Sequence, residues 1–277
     1  MTPKSEFMHR ERPLHESLRA HAAAQPDRTA LFWYGTVLSW ADLDRASDAF
    51  GARLQALGVK KGDPVVLFLN NCPQYVIAHY GIQKIGAIVC PSGPLNKEHE
   101  LTYQVDDLKA RIMVAASDLL PVVEKVRPQS SLEHVFVVHC ADLLPSAPTI
   151  EVPPELQALR AAIRTVPAGY EDFRAAMDGN ARPTPVALSM DDVALMTYTS
   201  GTTGLPKGAM LSYGNAWFKA AVTAQWLDLR PQDMVLSAAP LYHIAGKLLS
   251  VSAPVLVGAS QVLLHRFDAL VALQAID

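Results

Sequence analysis

The feature that most constrains the fold is an alternation of short apolar runs with segments of helical periodicity. Val65 to Leu69 is unbroken apolar sequence, the pattern of a strand buried on both faces. Ile88 to Cys90, Arg111 to Ala115, Val135 to Val138, Val193 to Tyr198, Ala209 to Ser212, Met234 to Ser237 and Gln261 to Leu264 read as further strands. Between them, helices are predicted from Pro73 to about Gly86, Lys97 to Leu108, Asn215 to Leu227 and Leu248 to Val257, with another from Phe267. Ser117 is expected to cap one more. Strand–helix–strand units at this spacing predict right-handed crossovers. The expected fold class is therefore α/β: stacked lobes with mostly parallel sheets and helices on both faces.

The first sixty residues fit the same scheme. Leu14 to Ala24 reads as a helix stopped by Pro26, and Ala30 to Tyr34 with Val37 to Trp40 as two strands turning at Gly35-Thr36. Ser39 followed three residues later by Asp42 resembles a capping box. It opens a helix whose apolar positions Leu43, Ala46, Phe50, Leu54 and Leu57 keep the 3.6 period up to Gly58. The stretch from His139 to Ser189 breaks the pattern. It carries seven prolines and no evident strand, with a helix expected only over Tyr170 to Met177. The organisation expected is a first lobe over 1–140, a Pro-rich surface excursion over 141–189, and over 190–277 a loop region that starts a second lobe.

Composition removes several classes of function. The 24 Lys+Arg and 27 Asp+Glu leave a charge of −3, without the basic excess of a nucleic-acid binder. The longest charge-free apolar stretch, Leu248 to Leu264, contains Pro254, Gly258 and three serines. It falls short of the roughly 20 apolar residues of a spanning helix. Buried core is the preferred reading, with contact to a membrane surface as the alternative. Cys72, Cys90 and Cys140 are odd in number and form no CxxC pair. This argues against a disulfide framework or structural zinc site and for a reducing, cytoplasmic setting.

The segment that carries chemistry is Met196 to Asn215, MTYTSGTTGLPKGAMLSYGN. After a buried strand come Thr199, Ser200, Gly201, Thr202, Thr203, Gly204, Leu205, Pro206, Lys207 and Gly208. Glycines let backbone N–H groups face an anion, hydroxyls donate to phosphate oxygens, and Lys207 adds a mobile positive charge. The string is not a GxxxxGK[ST] loop: Pro206 stands where its second glycine belongs, and Gly208 where its Ser/Thr belongs. GxGxxG, GxSxG and HExxH patterns are absent from the sequence.

YTSGTTGLPKG resembles the phosphate-binding signature of the adenylate-forming superfamily, which includes acyl- and aryl-CoA synthetases, peptide-synthetase adenylation domains and firefly luciferase. PLYHIAG, Pro240 to Gly246, is similar to that family's later motif. LSWADLDRASDAFGARLQALGVKKGD and VVLFLNNCPQYV agree more loosely, so the resemblance runs from about residue 14 onward. It implies an N-terminal domain of stacked α/β lobes followed by a small mobile domain. It also implies attack of a carboxylate on the α-phosphate of ATP, giving acyl-adenylate, then displacement of AMP by the thiol of CoA.

Carried over, Thr199, Ser200, Gly201, Thr202, Thr203, Gly204 and Lys207 would hold the β- and γ-phosphates. Tyr242, His243 and Gly246 would belong to the acyl and adenylate pocket. ATP with Mg2+, CoA and a fatty or other hydrophobic carboxylic acid are the ligands implied. One departure is Leu211-Ser212-Tyr213, where many relatives have Leu-Ser/Thr-His. The adenine-binding, magnesium-binding, ribose-binding and catalytic-lysine motifs of the family do not occur in these 277 residues. The chain is thus expected to be the N-terminal portion of such a ligase, binding nucleotide phosphates weakly by itself and catalytically incomplete. Two alternatives stand beside this: a non-catalytic nucleotide- or partner-binding module, and an adenylation domain that loads a carrier protein.

Overall fold

The computed structural model describes residues 9–199 and 205–276. Eleven strands are described there, and they form two sheets. The seven-stranded sheet runs β7-β6-β5-β3-β4-β8-β9. Its members are β3 (Pro64–Phe68), β4 (Ile88–Ser92), β5 (Ile112–Ala116), β6 (His134–Val138), β7 (Glu171–Asp172), β8 (Val193–Tyr198) and β9 (Gly208–Ser212). All neighbours are parallel except β8 and β9, an antiparallel hairpin. The four-stranded sheet runs β10-β11-β1-β2. Here β1 (Thr29–Trp33) and β2 (Thr36–Ser39) are antiparallel, while β10 (Met234–Ser237) and β11 (Ser260–Leu263) are parallel to each other and to β1.

Sheet membership cuts across the division at 140 and 190. The hairpin at 193–212 extends the first sheet, and the strand pair at 29–39 lies in the second sheet against β11. In the four-stranded sheet β11 is fully buried, whereas β2 stays partly exposed along its length. β3, β4 and β5 are buried along nearly all their length, as strands covered on both faces are.

Helix α1 (Leu14–Ala24) has the predicted limits. Helix α2 (Trp40–Ala56) opens with the expected capping box: Ser39 Oγ accepts from the Asp42 N–H at 3.1 Å, and Asp42 accepts from the Ser39 N–H at 3.1 Å. It packs against α3 (Pro73–Lys84). The crossing is tight because Gly81 faces α2: a Cβ there would lie 2.9 Å from the Ser47 carbonyl oxygen. Beneath the crossing, buried Lys84 pairs with Asp48 at 2.8 Å and with Asp44. Helix α4 (Glu98–Leu108) follows β4.

Several local expectations change. Ser117 does not cap an α-helix. Residues 117–119 form a 3-10 turn before α5 (Leu120–Val126), and the buried Ser117 Oγ has no hydrogen bond among the described residues. The Pro-rich stretch contains α6 (Pro154–Ala161), with Pro at its first turn and buried Leu156. The helix expected over 170–177 is shortened to α7 (Phe173–Met177), because Glu171–Asp172 joins β6 as β7. Helix α8 (Tyr213–Trp226) starts earlier than expected, since Ser212 and Asn215 form a second capping box. The short α9 (Ile244–Gly246) leads into a π-helix over Lys247–Ser252 and then α10 (Ala253–Val257). Pro254 has no N–H to give the Ser250 carbonyl, so the regular ladder cannot run through this segment. Residues 250–265 are buried, so the apolar stretch is core. Helix α11 (Ala269–Ile276) follows.

Candidate functional site

Residues 199–207 connect β8 to β9 from the carboxyl end of β8, the end at which open α/β sheets bind ligands. The two ends of this loop are described. The Thr199 N–H donates to the Lys207 carbonyl at 3.0 Å, one step beyond the Tyr198–Gly208 pair of the ladder. Thr199 and Lys207 are thus brought together at the base of the loop, and both are exposed. Ser200, Gly201, Thr202, Thr203 and Gly204 lie outside the described residues.

Two tyrosines tie this base to α4. The Tyr103 hydroxyl donates to the Pro206 carbonyl at 2.9 Å, and the Tyr198 hydroxyl donates to an Asp107 carboxylate oxygen. Burial and then the hydrogen bond to Asp107 raise the Tyr198 phenol well above its ordinary range. It therefore remains a donor at all ordinary pH values. The two rings meet edge to face at 6.4 Å.

The second motif occupies residues 240–246, after β10. The His243 N–H donates to the Pro240 carbonyl at 3.1 Å, and the Lys247 N–H donates to the His243 carbonyl at 3.0 Å. His243 is the N-terminal flank of α9, its imidazole exposed and tilted against the Tyr242 ring at 4.6 Å. Gly246 is buried, and a Cβ there would lie 2.1 Å from the Pro240 carbonyl oxygen. No other residue lets the chain close back on that carbonyl without displacing it.

Tyr242 covers Gly93, where a Cβ would come 3.5 Å from its ring. Gly93 begins the turn between β4 and α4, a turn closed by Asn96 donating to the Gly93 carbonyl and to Ser92 Oγ. β4 lies beside β8, so both motifs flank one connection. Tyr242 rests on its first residue, and α4, which follows it, holds Pro206 through Tyr103.

Behind the second motif is a polar cluster that sequence patterns did not single out. Asn71, which follows β3, accepts from the Leu241 N–H at 2.8 Å and donates to the Ala239 and Leu264 carbonyls at 3.0 and 3.1 Å. The Tyr75 hydroxyl donates to the Leu241 carbonyl at 3.0 Å and accepts from Lys247 Nζ at 3.2 Å. Lys247 is 2% exposed and has no carboxylate partner among the described residues. Burial pulls its ammonium down to about 7. No spacing rule marks these residues. Lys247 stands one residue before the charge-free stretch 248–264, and nothing in the sequence marks it as buried.

Among the described residues, no group of His, Cys, Asp and Glu is placed to hold a metal ion, and no helix is long and apolar enough to cross a membrane. Cys72, Cys90 and Cys140 are buried and unbridged.

Comparison with known proteins gives this geometry a family. The model of the AMP-binding enzyme family matches residues 18–277. A long-chain-fatty-acid–CoA ligase of Bacillus subtilis (strain 168) is 32% identical over 269 residues, 95% of this chain and 48% of the relative. Among solved structures, a long-chain-fatty-acid-CoA ligase from Archaeoglobus fulgidus superposes with a TM-score of 0.79 at 23% identity, covering 98% of this chain and 50% of that one. An anthranilate CoA ligase in complex with anthranoyl-AMP gives 0.80 at 24% identity, over 96% of this chain and 47% of that one. The chain spans about half the length of the relatives it matches. With residues 18–277 inside the match, the chain belongs to the AMP-binding enzyme family.

Proposed function

We propose that the protein to which these residues belong is an ATP-dependent acyl-CoA ligase acting on a fatty or other hydrophobic carboxylic acid. The observation that carries this reading is the placement of the Lys207 loop and the Tyr242–His243 segment on either side of the β4–α4 connection. An anion held at the loop base and a carboxylate held beside Tyr242 would meet over that connection. The fatty-acid class is supported by the name of the Bacillus subtilis relative.

In this reading ATP arrives with Mg2+ as its substrate complex. Thr199, Ser200, Gly201, Thr202, Thr203, Gly204 and Lys207 hold the β- and γ-phosphates. Tyr242, His243 and Gly246 form the wall next to the attacking carboxylate. A carboxylate oxygen bonds to the α-phosphorus, the bridge to the β-phosphate breaks, and pyrophosphate leaves. The thiolate of CoA then bonds to the acyl carbon and AMP leaves. The contribution of these residues is positioning and charge stabilisation rather than covalent chemistry. The three unbridged cysteines support a reducing, cytoplasmic setting.

The test is AMP and acyl-CoA formation by the product of the complete reading frame, with ATP, Mg2+, CoA and a series of carboxylic acids. The reading expects stoichiometric AMP and thioester, with fatty acids among the best substrates. Hydrolysis of ATP to ADP, or no thioester with any acid, would overturn it.

A further inference from the structure

Asn71 joins the two sheets at their carboxyl ends. It follows β3 of the seven-stranded sheet, and its side chain bonds to backbone beyond β10 and beyond β11 of the other. Both amide hydrogens and the amide oxygen are used, and the residue is 2% exposed. Its own carbonyl also accepts from His265, whose Nδ1 lies 2.9 Å away. The bonds to the Ala239 carbonyl and the Leu241 N–H bracket Pro240. They therefore fix the backbone immediately before Tyr242 and His243, while Tyr75 fixes the Leu241 carbonyl from α3. Asn71 does not itself lie in either motif. Its neighbour Asn70 leaves no comparable mark, so the doublet conceals which asparagine is engaged.

From this geometry we infer that Asn71 is a positioning residue for adenylation: it sets the Tyr242–His243 segment against the β4–α4 connection, and with it the attacking carboxylate. The inference rests on the acyl-CoA ligase reading above. The chemistry explains the choice of residue. Only a side chain with two donors and an acceptor at one short reach can hold two carbonyls and an N–H beyond the ends of two strands. Aspartate keeps the acceptor and size but meets both carbonyls with negative charge. Alanine leaves all three backbone groups without this partner.

The test uses the product of the complete reading frame and three variants: Asn71→Ala, Asn71→Asp and His243→Ala. Carboxylate-dependent pyrophosphate exchange is measured well below each melting temperature, resolving kcat, the KM for ATP and the KM for the acid. The inference expects Asn71→Ala to lose about tenfold or more in kcat over KM for the acid, with the KM for ATP within about twofold, the signature of a misplaced segment. Asn71→Asp shows the same split and decides the matter if the alanine variant is insoluble. A melting temperature that falls while both acid parameters stay unchanged would overturn the positioning role and leave Asn71 a structural tie. If the wild type exchanges and His243→Ala is impaired, that result leaves the ligase reading standing. A wild type that exchanges with no acid overturns the ligase reading, and the positioning role with it.

Discussion

The Tyr103 hydroxyl donates to the Pro206 carbonyl at 2.9 Å, so a side chain of α4 holds the residue next to Lys207. The loop that would carry phosphate is thus braced from one side by a helix, rather than opening a helix of its own as a GxxxxGK[ST] loop does. Tyr103→Phe removes one neutral hydrogen bond, about 1 kcal/mol. The expected result is a KM for ATP raised about fivefold, with the KM for the acid unchanged. Steady-state kinetics with each substrate varied in turn checks this. An unaltered KM for ATP would mean that the bond does not hold the loop.

Gly246 is required by contact rather than by backbone angle. A methyl at this position meets the Pro240 carbonyl at 2.1 Å. Gly246→Ala therefore forces residues 240–246 apart, at a cost of about 1–3 kcal/mol. A lowered melting temperature is expected, together with a raised KM for the acid. A variant that melts like the wild type would show that this turn relaxes freely.

Lys247 makes stability depend on pH in a defined window. Its ordinary pKa of 10.5 applies to the unfolded chain, and burial lowers it to about 7 in the folded one. Below pH 7 both states hold the proton, and the folded state bears the full cost of a buried ammonium. Between 7 and 10.5 the unfolded state binds more protons, so stability rises with pH. The neighbouring groups are quiet across this range: burial raises the Cys90 thiol to about 12 and the Tyr75 phenol further, and keeps His79 neutral. Lys247→Met removes the slope. Its melting temperature relative to wild type should fall steadily from pH 7 to 9.5, by the equivalent of up to about 1.4 kcal/mol per unit. A difference independent of pH would contradict a neutralised Lys247.

What could be read from the sequence was local. Ser39 and Asp42 declare a helix start because a hydroxyl and a carboxylate three residues apart satisfy two backbone N–H groups. Val65 to Leu69 declares a buried strand because nothing polar interrupts it. Prolines concealed α6, although Pro153 and Pro154 suit a first helical turn. The pairing of β1 with β11, Leu31 against Gln261, has no local signature, so sequence order alone groups the strand pair at 29–39 with the first lobe. The site divides the same way. Thr199 to Lys207 stands out from its residue types as a candidate anion loop. The brace from Tyr103, the Tyr198–Asp107 bond and the Asn71 tie join residues about a hundred or more positions apart, where periodicity carries no information.

The central claim is that Lys207 belongs to a site that activates a carboxylate with ATP. Carboxylate-dependent exchange of labelled pyrophosphate into ATP, by the product of the complete reading frame and its Lys207→Ala variant, tests it most directly. The account predicts exchange only when a carboxylic acid is present, and a loss of about 100-fold or more in kcat over KM for ATP in the variant. Equal exchange by the two proteins, or none by the wild type with any acid, would contradict it.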